Sequence, residues 1–330
     1  MTAARLAGEA SLGDVLEIER LSGGKNNRVY RVALKEGQTV ALKLYHTDQR
    51  DRRDRLSAEW SFLAYAWERG VRNVPRPLAH DPRTHAGLYG FVPGRRLSTD
   101  EIGPSAVRQA ADFVIAVNGA PRQPERLEPG SEACFSLADH LATVDRRVAR
   151  LDSLDNAAPF AAEAQQLVAN RLRPAWDRAR AGIVDGAGRE RMPLDAAIGS
   201  ICVSPSDFGY HNALTDSAGR LTFIDFEYAG RDDPAKLVCD FFCQPEVPVS
   251  LDHFETFVAA LEKPLGLGGA DLWRCRALLP AYRIKWVCII LNEFLAVGAN
   301  RRAFADDGDR PTRARRQIER ADRYLDVLAS

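Results

Sequence analysis

Two short stretches decide the interpretation of this chain: Val203-Ser-Pro-Ser-Asp-Phe-Gly-Tyr-His-Asn212 and Phe223-Ile-Asp-Phe-Glu-Tyr228. Asp207 and Asn212 lie in a loop between β-rich segments, and Asp225 directly follows a mostly apolar strand. An unpaired carboxylate at the end of such a strand is costly. Two carboxylates and an amide oxygen that meet across a hairpin are ligands of the kind Mg²⁺ prefers. One carboxylate would remain to accept a hydroxyl proton. The alternative is that Asp207 and Asn212 only cap turns.

A lysine occupies the third predicted strand, Thr39–Tyr45. Successive side chains of a strand point to opposite faces, so Ala41, Lys43 and Tyr45 share one face. The small Ala41 leaves space for a flat ring, and Lys43 can reach a phosphate from the same face. A solvent-exposed lysine on a half-buried strand is the alternative interpretation.

A predicted helix over residues 56–69 carries a carboxylate in its apolar stripe. The stripe consists of positions i, i+3, i+4 and i+7, which are Glu59, Phe62, Leu63 and Ala66. Burial of a carboxylate is costly without a cation, and Lys43 is the candidate partner of Glu59. Alternatively, Glu59 lies at the edge of the stripe and stays solvated.

A glycine-containing turn separates the predicted strands Val15–Leu21 and Arg28–Leu34. Its backbone N–H groups could cradle phosphate oxygens, although an ordinary hairpin has the same composition. The residues of this turn are Ser22, Gly23, Gly24, Lys25, Asn26 and Asn27.

The chain changes character near residue 100. Before it, strands predominate, and Val74–His80 and Ala86–Val92 are the last two predicted. After Pro104 the pattern is mainly helical, with a β-rich island around residues 198–226. We therefore predict an α+β fold with a small β-rich lobe, a hinge near residues 90–97 and a larger, mainly helical lobe. The predicted helices of the second part are 105–118, 137–151, 161–180, 234–243, 253–262, 271–296 and 312–328.

Composition excludes several classes of protein. The 330 residues carry 45 Lys and Arg against 45 Asp and Glu, which argues against a nucleic-acid-binding surface. The N-terminal residues lack the apolar region of a signal peptide, and the apolar stretch 286–291 is far shorter than a membrane span. The six cysteines are irregularly spaced, so we expect buried thiols in a reducing, cytoplasmic setting rather than a zinc site.

The order of these features resembles the aminoglycoside phosphotransferase and choline kinase superfamily, which has a protein-kinase-like fold. The resemblance runs from about residue 15 to residue 243. It is carried by Asp207-x4-Asn212, by Ile224–Tyr228 and by Asp233-Pro234. It implies a bilobal architecture, with an N-lobe at residues 1–92 and a helical C-lobe at residues 93–330.

The resemblance also assigns roles. Asp207 looks like the catalytic base, and Asn212 and Asp225 look like Mg²⁺ ligands. Lys43, held by Glu59, looks like the lysine that binds the α- and β-phosphates of ATP. The remaining nucleotide-binding positions would be the loop Ser22–Asn27 (Ser22, Gly23, Gly24 and Asn27), Ala41, and the adenine-binding hinge with Gly90 and Phe91.

Two departures indicate a divergent branch. The family usually has His two residues before the catalytic Asp, where this chain has Pro205. In the family this His braces the catalytic loop. Here the brace must come from elsewhere, or the proline rigidifies the loop. The family also has an Asp where this chain has Leu237, and Asp240 could substitute. We expect His211, next to the metal-binding Asn212, to point away from the acceptor.

The expected activity is ATP- and Mg²⁺-dependent phosphorylation of a hydroxyl on a small molecule, as a monomer or homodimer without nucleic-acid or membrane partners. Cations on the predicted helix 271–296 favour a sugar, nucleoside or related metabolite as acceptor; they are Arg274, Arg276, Arg283 and Lys285. The alternatives are an aminoglycoside-type antibiotic kinase, for which the acidic loop at residues 306–309 would be available, and a nucleotide-binding pseudokinase.

Overall fold

A computed structural model describes residues 2–21, 27–47, 53–120, 123–296 and 309–326. The strands in this part of the chain are β1 Val15–Leu21, β2 Arg28–Leu34, β3 Thr39–Leu44, β4 Pro77–Asp81, β5 Ala86–Gly90, β6 Cys202–Ser204, β7 Ala213–Thr215, β8 Leu221–Phe223 and β9 Gly230–Asp232. The helices are α1 Thr2–Glu9, α2 Arg55–Glu68, α3 Pro104–Asn118, α4 Leu137–Arg150, α5 Ala161–Leu167, α6 Arg173–Arg189, α7 Pro234–Cys243, α8 Phe254–Leu265, α9 Gly269–Ala277, α10 Leu279–Ile290 and α11 Arg310–Asp326.

The chain divides into two compact units. The first unit comprises Met1–Ser131, Cys202–Asp232 and Val249–Gly266. The second comprises Glu132–Ile201, Asp233–Pro248 and Leu267–Ser330. Every strand named above belongs to the first unit, and the second is built from helices.

The first unit contains a five-stranded antiparallel sheet with the strand order β1-β2-β3-β5-β4. Strand β3 is paired on both sides, so Lys43 lies opposite Val29 of β2 and Gly87 of β5. Because a central strand is paired along both edges, the backbone at Lys43 is well fixed.

Helix α1 covers the sheet face opposite to Lys43. Leu6 and Ala7 are fully buried against Val40, Leu42 and residues of the neighbouring strands. A face of a sheet that carries alternating apolar residues must be covered, and this amphipathic helix covers it.

The first unit also contains two small antiparallel pairs, the hairpin of β7 with β8 and the pair of β6 with β9. The rings of Phe113 in α3 and Phe223 in β8 stack with centroids 4.5 Å apart, and Phe208 lies beside both. This aromatic core lies under the loops that carry Asp207 and Asp225.

The second unit is organised around a buried polar cluster. Asp233 caps helix α7 by accepting a hydrogen bond from the backbone N–H of Ala235 at 2.8 Å. The guanidinium of Arg274 donates to Asp233 at 2.8 Å, and the ring of His140 lies 3.1 Å from the same carboxylate and 2.7 Å from the hydroxyl of Tyr282. The Asp233-Pro234 motif therefore anchors α7 to its neighbours in this unit.

The fold class is confirmed: the N-terminal part is β-rich and the remainder mainly helical. Several elements were predicted wrongly. Helix α1 and strand β9 were not predicted, and the single helix expected over 271–296 is two helices, α9 and α10. Pro280 lacks the N–H that a continuous helix needs, which explains the break.

None of the helices in the described part of the chain is long and apolar enough to span a membrane.

We predict that Leu6→Ala lowers the free energy of unfolding by about 2–5 kcal/mol, because it opens a cavity between α1 and the sheet. Leu16→Ala is the matched control, since Leu16 on β1 is 67% exposed and Leu6 is fully buried. The control should change stability by less than about 0.5 kcal/mol. Urea titration of both variants measures the difference, and equal losses would mean that α1 does not cover the core.

Candidate active site

Lys43 lies between two carboxylates that come from distant parts of the sequence. Its Nζ is 2.6 Å from Glu59 Oε2 on α2 and 2.5 Å from Asp225 Oδ1. Lys43 and Glu59 are 7% and 3% exposed. The solvated alternatives for both residues are therefore wrong, and the strand and the helix meet as their patterns indicated.

Three carboxylates influence the charge of Lys43. Burial opposes its charge, but Asp225, Glu59 and Glu227 together raise the pKa of Lys43 well above its usual range. Burial also raises the pKa of Glu59 and of Asp225, because Lys43 offsets only part of the cost for each. Glu59 and Asp225 share one ammonium group, which favours the binding of a second cation here, whereas Glu227 is also stabilised by Arg55.

One tyrosine binds the Glu59 carboxylate directly, and a second tyrosine contacts the first. The hydroxyl of Tyr45 donates to Glu59 Oε2 at 2.8 Å and lies 2.7 Å from the hydroxyl of Tyr89. The Tyr89 ring occupies the space that a side chain at position 87 would need, and Gly87 leaves that space open. Glu59 is thus bound directly by Lys43 and by Tyr45, which position helix α2 on the sheet.

The segment after β8 packs against helix α2. The ring of Phe226 stacks on Phe62 with centroids 4.4 Å apart. The guanidinium of Arg55 lies 5.7 Å from the ring centroid of Tyr228. Asp225 itself adopts a positive φ of 68°, a strained conformation that such packing must stabilise.

Glu227 is a further carboxylate of the site. It lies within the motif 223–228, but no role was predicted for it. It is 2% exposed, and its Oε2 accepts a hydrogen bond from the side chain of Asn27. Although burial opposes ionisation, Lys43 and Asn27 lower the pKa of Glu227. Its position two residues after Asp225 was the signal that could have identified it.

The predicted nucleotide-binding positions are only partly described. Ser22, Gly23 and Gly24 lie outside the described residues. Asn27 binds Glu227, and its Oδ1 accepts from the backbone N–H of His46 at 3.2 Å. It therefore connects the end of the β1–β2 loop to the segment after β8.

Ala41 of β3 lies opposite Tyr89 of β5. Gly90 donates its N–H to the carbonyl of Arg76 at 2.8 Å and lies opposite Val40 of β3. Phe91 follows, with the guanidinium of Arg31 5.8 Å from its ring centroid.

Asp207 and Asn212 are in contact, as their spacing suggested. The side-chain nitrogen of Asn212 is 3.0 Å from the backbone oxygen of Asp207 and 3.3 Å from its Oδ2. The loop before them is tight, because the N–H of Asp207 bonds Pro205 O at 2.9 Å and Ser206 has a φ of 62°.

The residues present fit a magnesium ion. The contact of Asn212 through its nitrogen leaves the amide oxygen available, and the Asp225 side chain is 40% exposed. Mg²⁺ is commonly held by one or two carboxylates, with phosphate and water completing its shell. Within the described ranges no group of three or more His, Cys, Asp or Glu side chains could hold a metal ion by itself. A bound nucleotide would therefore have to supply part of the shell.

The side chain of His211 lies beside the predicted base, and its direction relative to the acceptor stays a prediction. Its Nε2 lies 3.1 Å from Asp207 Oδ1, so the ring points to the predicted base. Tyr210–Asn212 form one 3₁₀ turn, in which successive side chains are about 120° apart. His211 and Asn212 can therefore both reach Asp207.

In the second unit, Asp240 does not offer a free carboxylate. Its two oxygens accept from Lys285 Nζ at 2.7 and 2.9 Å, and Lys236 Nζ lies 3.6 Å away. Leu237, at the position where an Asp was expected, is buried in apolar surroundings.

Comparison with known proteins identifies the family. The sequence model of the phosphotransferase enzyme family (APH) matches residues 17–243, more than half of the 330 residues. The chain therefore belongs to the phosphotransferase enzyme family. A search of curated proteins by sequence finds no match.

Several solved structures have the same fold. Spectinomycin phosphotransferase, in complex with ADP and spectinomycin, is 11% identical with a TM-score of 0.64, over 100% of this chain and 97% of that one. Ethanolamine kinase from Plasmodium vivax is 15% identical with a TM-score of 0.61, over 95% and 82% of the two chains. Choline kinase LicA from Streptococcus pneumoniae is 15% identical with a TM-score of 0.57, over 99% of both. At these identities the likeness establishes the fold.

We predict that Lys43→Met lowers the free energy of unfolding by about 3–5 kcal/mol, because it leaves Glu59 and Asp225 without their shared cation. Lys35→Met is the matched control: Lys35 also binds a carboxylate, that of Asp14 at 2.9 Å, but its side chain is 58% exposed. The control should lose at most about 1 kcal/mol. Chemical denaturation at neutral pH compares the variants, and similar losses would contradict the central role of Lys43.

Proposed function

We propose that this protein is an ATP- and Mg²⁺-dependent kinase that phosphorylates a hydroxyl group of a small molecule. The observation that carries the proposal is the buried Lys43, which joins Glu59 to Asp225. A carboxylate with one oxygen on a lysine and an exposed remainder is suited to hold a metal next to a phosphate. Membership in the phosphotransferase family supports the same conclusion.

The nucleotide would be bound by residues 1–92, the proposed N-lobe. Lys43 would pair with the α- and β-phosphates while Glu59 and Tyr45 keep its strand and helix α2 in position. The turn Ser22–Asn27 would supply backbone N–H groups, and the hinge with Gly90 and Phe91 would bind the adenine. The complex of the related spectinomycin phosphotransferase contains ADP, which supports this choice of nucleotide.

Residues 93–330, the proposed C-lobe, would supply the metal ligands and the base. Asn212 and Asp225 would hold Mg²⁺, and Glu227 adds negative charge beside them. When bound, the metal neutralises charge on the phosphates. The carboxylate of Asp207 would accept the hydrogen of the acceptor hydroxyl and orient its oxygen for in-line attack.

For the acceptor we propose a neutral or anionic hydroxyl compound such as a sugar, a nucleoside or a related metabolite. The cations at residues 271–296 support this choice of acceptor less than the sequence indicated. Two of them are already paired, Arg274 with Asp233 and Lys285 with Asp240. The acidic loop at residues 306–309, on which the aminoglycoside alternative rests, lies outside the described residues except for Asp309. We further propose a cytoplasmic monomer or homodimer without nucleic-acid or membrane partners.

The test is ADP formation by purified protein with ATP, Mg²⁺ and a panel of sugars, nucleosides, aminoglycosides and amino alcohols. At least one acceptor should raise ADP formation in the wild type and fail to do so in Asp207→Asn. A protein that binds ATP but turns over no acceptor would instead be a pseudokinase.

We predict that Asp225→Asn abolishes Mg²⁺-dependent turnover, because the metal loses an anionic ligand and Lys43 loses a partner. The rate is measured as a function of Mg²⁺ concentration. Asp216→Asn is the control, since Asp216 lies in the β7–β8 turn and binds Arg220 at 2.8 Å. Retention of the wild-type rate and Mg²⁺ dependence in Asp225→Asn would show that the metal assignment is wrong.

We predict that Asp207→Asn lowers kcat by about 10²- to 10⁴-fold, the usual contribution of a positioned base. Affinity for ATP, measured by titration calorimetry, should stay within about threefold of wild type, because the proposed nucleotide contacts are made by other residues. An active Asp207→Asn enzyme would mean that another group accepts the proton.

A further inference from the structure

The ring of His211 faces Asp207 and, within the described residues, has no other polar partner. Its Nε2 is 3.1 Å from Asp207 Oδ1, whereas its Nδ1 is buried without a hydrogen bond. Since a carboxylate only accepts, the proton of the imidazole must be on Nε2 for this bond to form. The hydrogen-bonding capacity of the ring is therefore directed at the predicted base.

The backbone of His211 is fixed as well. Arg96 donates through Nη1 to the carbonyl of His211 at 2.7 Å. The neighbouring Arg95 pairs through its backbone with Thr215 of β7, at 3.1 and 2.8 Å. The 3₁₀ turn that carries His211 is thus attached to the segment of Arg95 and Arg96, within the predicted hinge.

Asp207 is contacted at both oxygens from this turn. His211 reaches Oδ1, and the side-chain nitrogen of Asn212 reaches Oδ2 at 3.3 Å and the backbone oxygen at 3.0 Å. A carboxylate held at both oxygens cannot rotate freely about its terminal bond. The direction in which it presents its remaining lone pairs is therefore determined by the turn.

We propose that His211 is a positioning residue that orients the Asp207 carboxylate toward the acceptor hydroxyl, and that it replaces the brace that Pro205 cannot provide. The inference rests on the proposed function of Asp207 as the base. Pro205 and the positive φ of Ser206 fix the backbone before Asp207, and His211 fixes the side chain from the other end of the loop. A small misplacement of a reacting group costs up to about 100-fold in rate.

The experiment compares three substitutions of His211 in the full chain, with the acceptor found in the panel. His211→Leu removes the donor, and kcat should fall about 10- to 100-fold, while the KM for ATP and the melting temperature stay close to wild type. His211→Gln should restore most of the rate, because its amide nitrogen reaches about as far as Nε2. His211→Asn should not, because its shorter amide ends near the place of Nδ1.

The outcomes separate this inference from the proposed function. If Asp207→Asn is inactive while His211→Leu has the wild-type kcat, only the positioning role is overturned. If Asp207→Asn is active, the function of Asp207 and the inference fail together. If His211→Gln and His211→Asn lose activity equally, or if His211→Leu raises the KM for ATP without lowering kcat, the ring has a merely structural role. Recovery in His211→Gln alone supports the proposal.

Discussion

The ammonium group of Lys43 is held between Glu59 and Asp225, and this contact joins a strand, a helix and a loop that are far apart in sequence. A buried charge is tolerated only with partners, so the buried Lys43 and Glu59 require each other, and Lys43 also binds the partly exposed Asp225. Because β3 is bonded on both sides, the lysine provides a fixed point of reference. Helix α2 and the segment after β8 are placed relative to that point, and with them the carboxylates that a metal would meet.

Apolar and aromatic packing also holds helix α2 and the segment after β8 together. The stack of Phe226 on Phe62 lies one helical turn from Glu59, and Phe113 extends the cluster into α3. Burial of these rings holds the helix and the loop together, and the ion pair adds a charge contact between the same elements. The positive φ of Asp225 is maintained by both.

The sequence predicted best those features that depend on local periodicity. Strands β1 and β2 and helix α7 have the predicted bounds, because alternation, turn residues and the Asp-Pro cap are local signals. Helix α1 was missed because it is short and is stabilised by the sheet it covers. Strand β9 was missed because only three residues pair with β6, and a pairing between distant segments leaves no local pattern.

In the candidate site, too, the sequence predicted only the contacts that follow from local patterns. The apolar stripe of α2 and the alternation of β3 were sufficient to pair Lys43 with Glu59, since burial of one charge demands the other. The hydroxyl contacts of Tyr45 and the ring of His211 carry no such demand, because a tyrosine or a histidine can be satisfied by water. Their roles depend on geometry alone. His211 and Asn212 are neighbours in the chain, yet a tight 3₁₀ turn directs both toward one carboxylate. The adjacency of His211 and Asn212 in the sequence therefore does not indicate where their side chains point until the conformation of the turn is known.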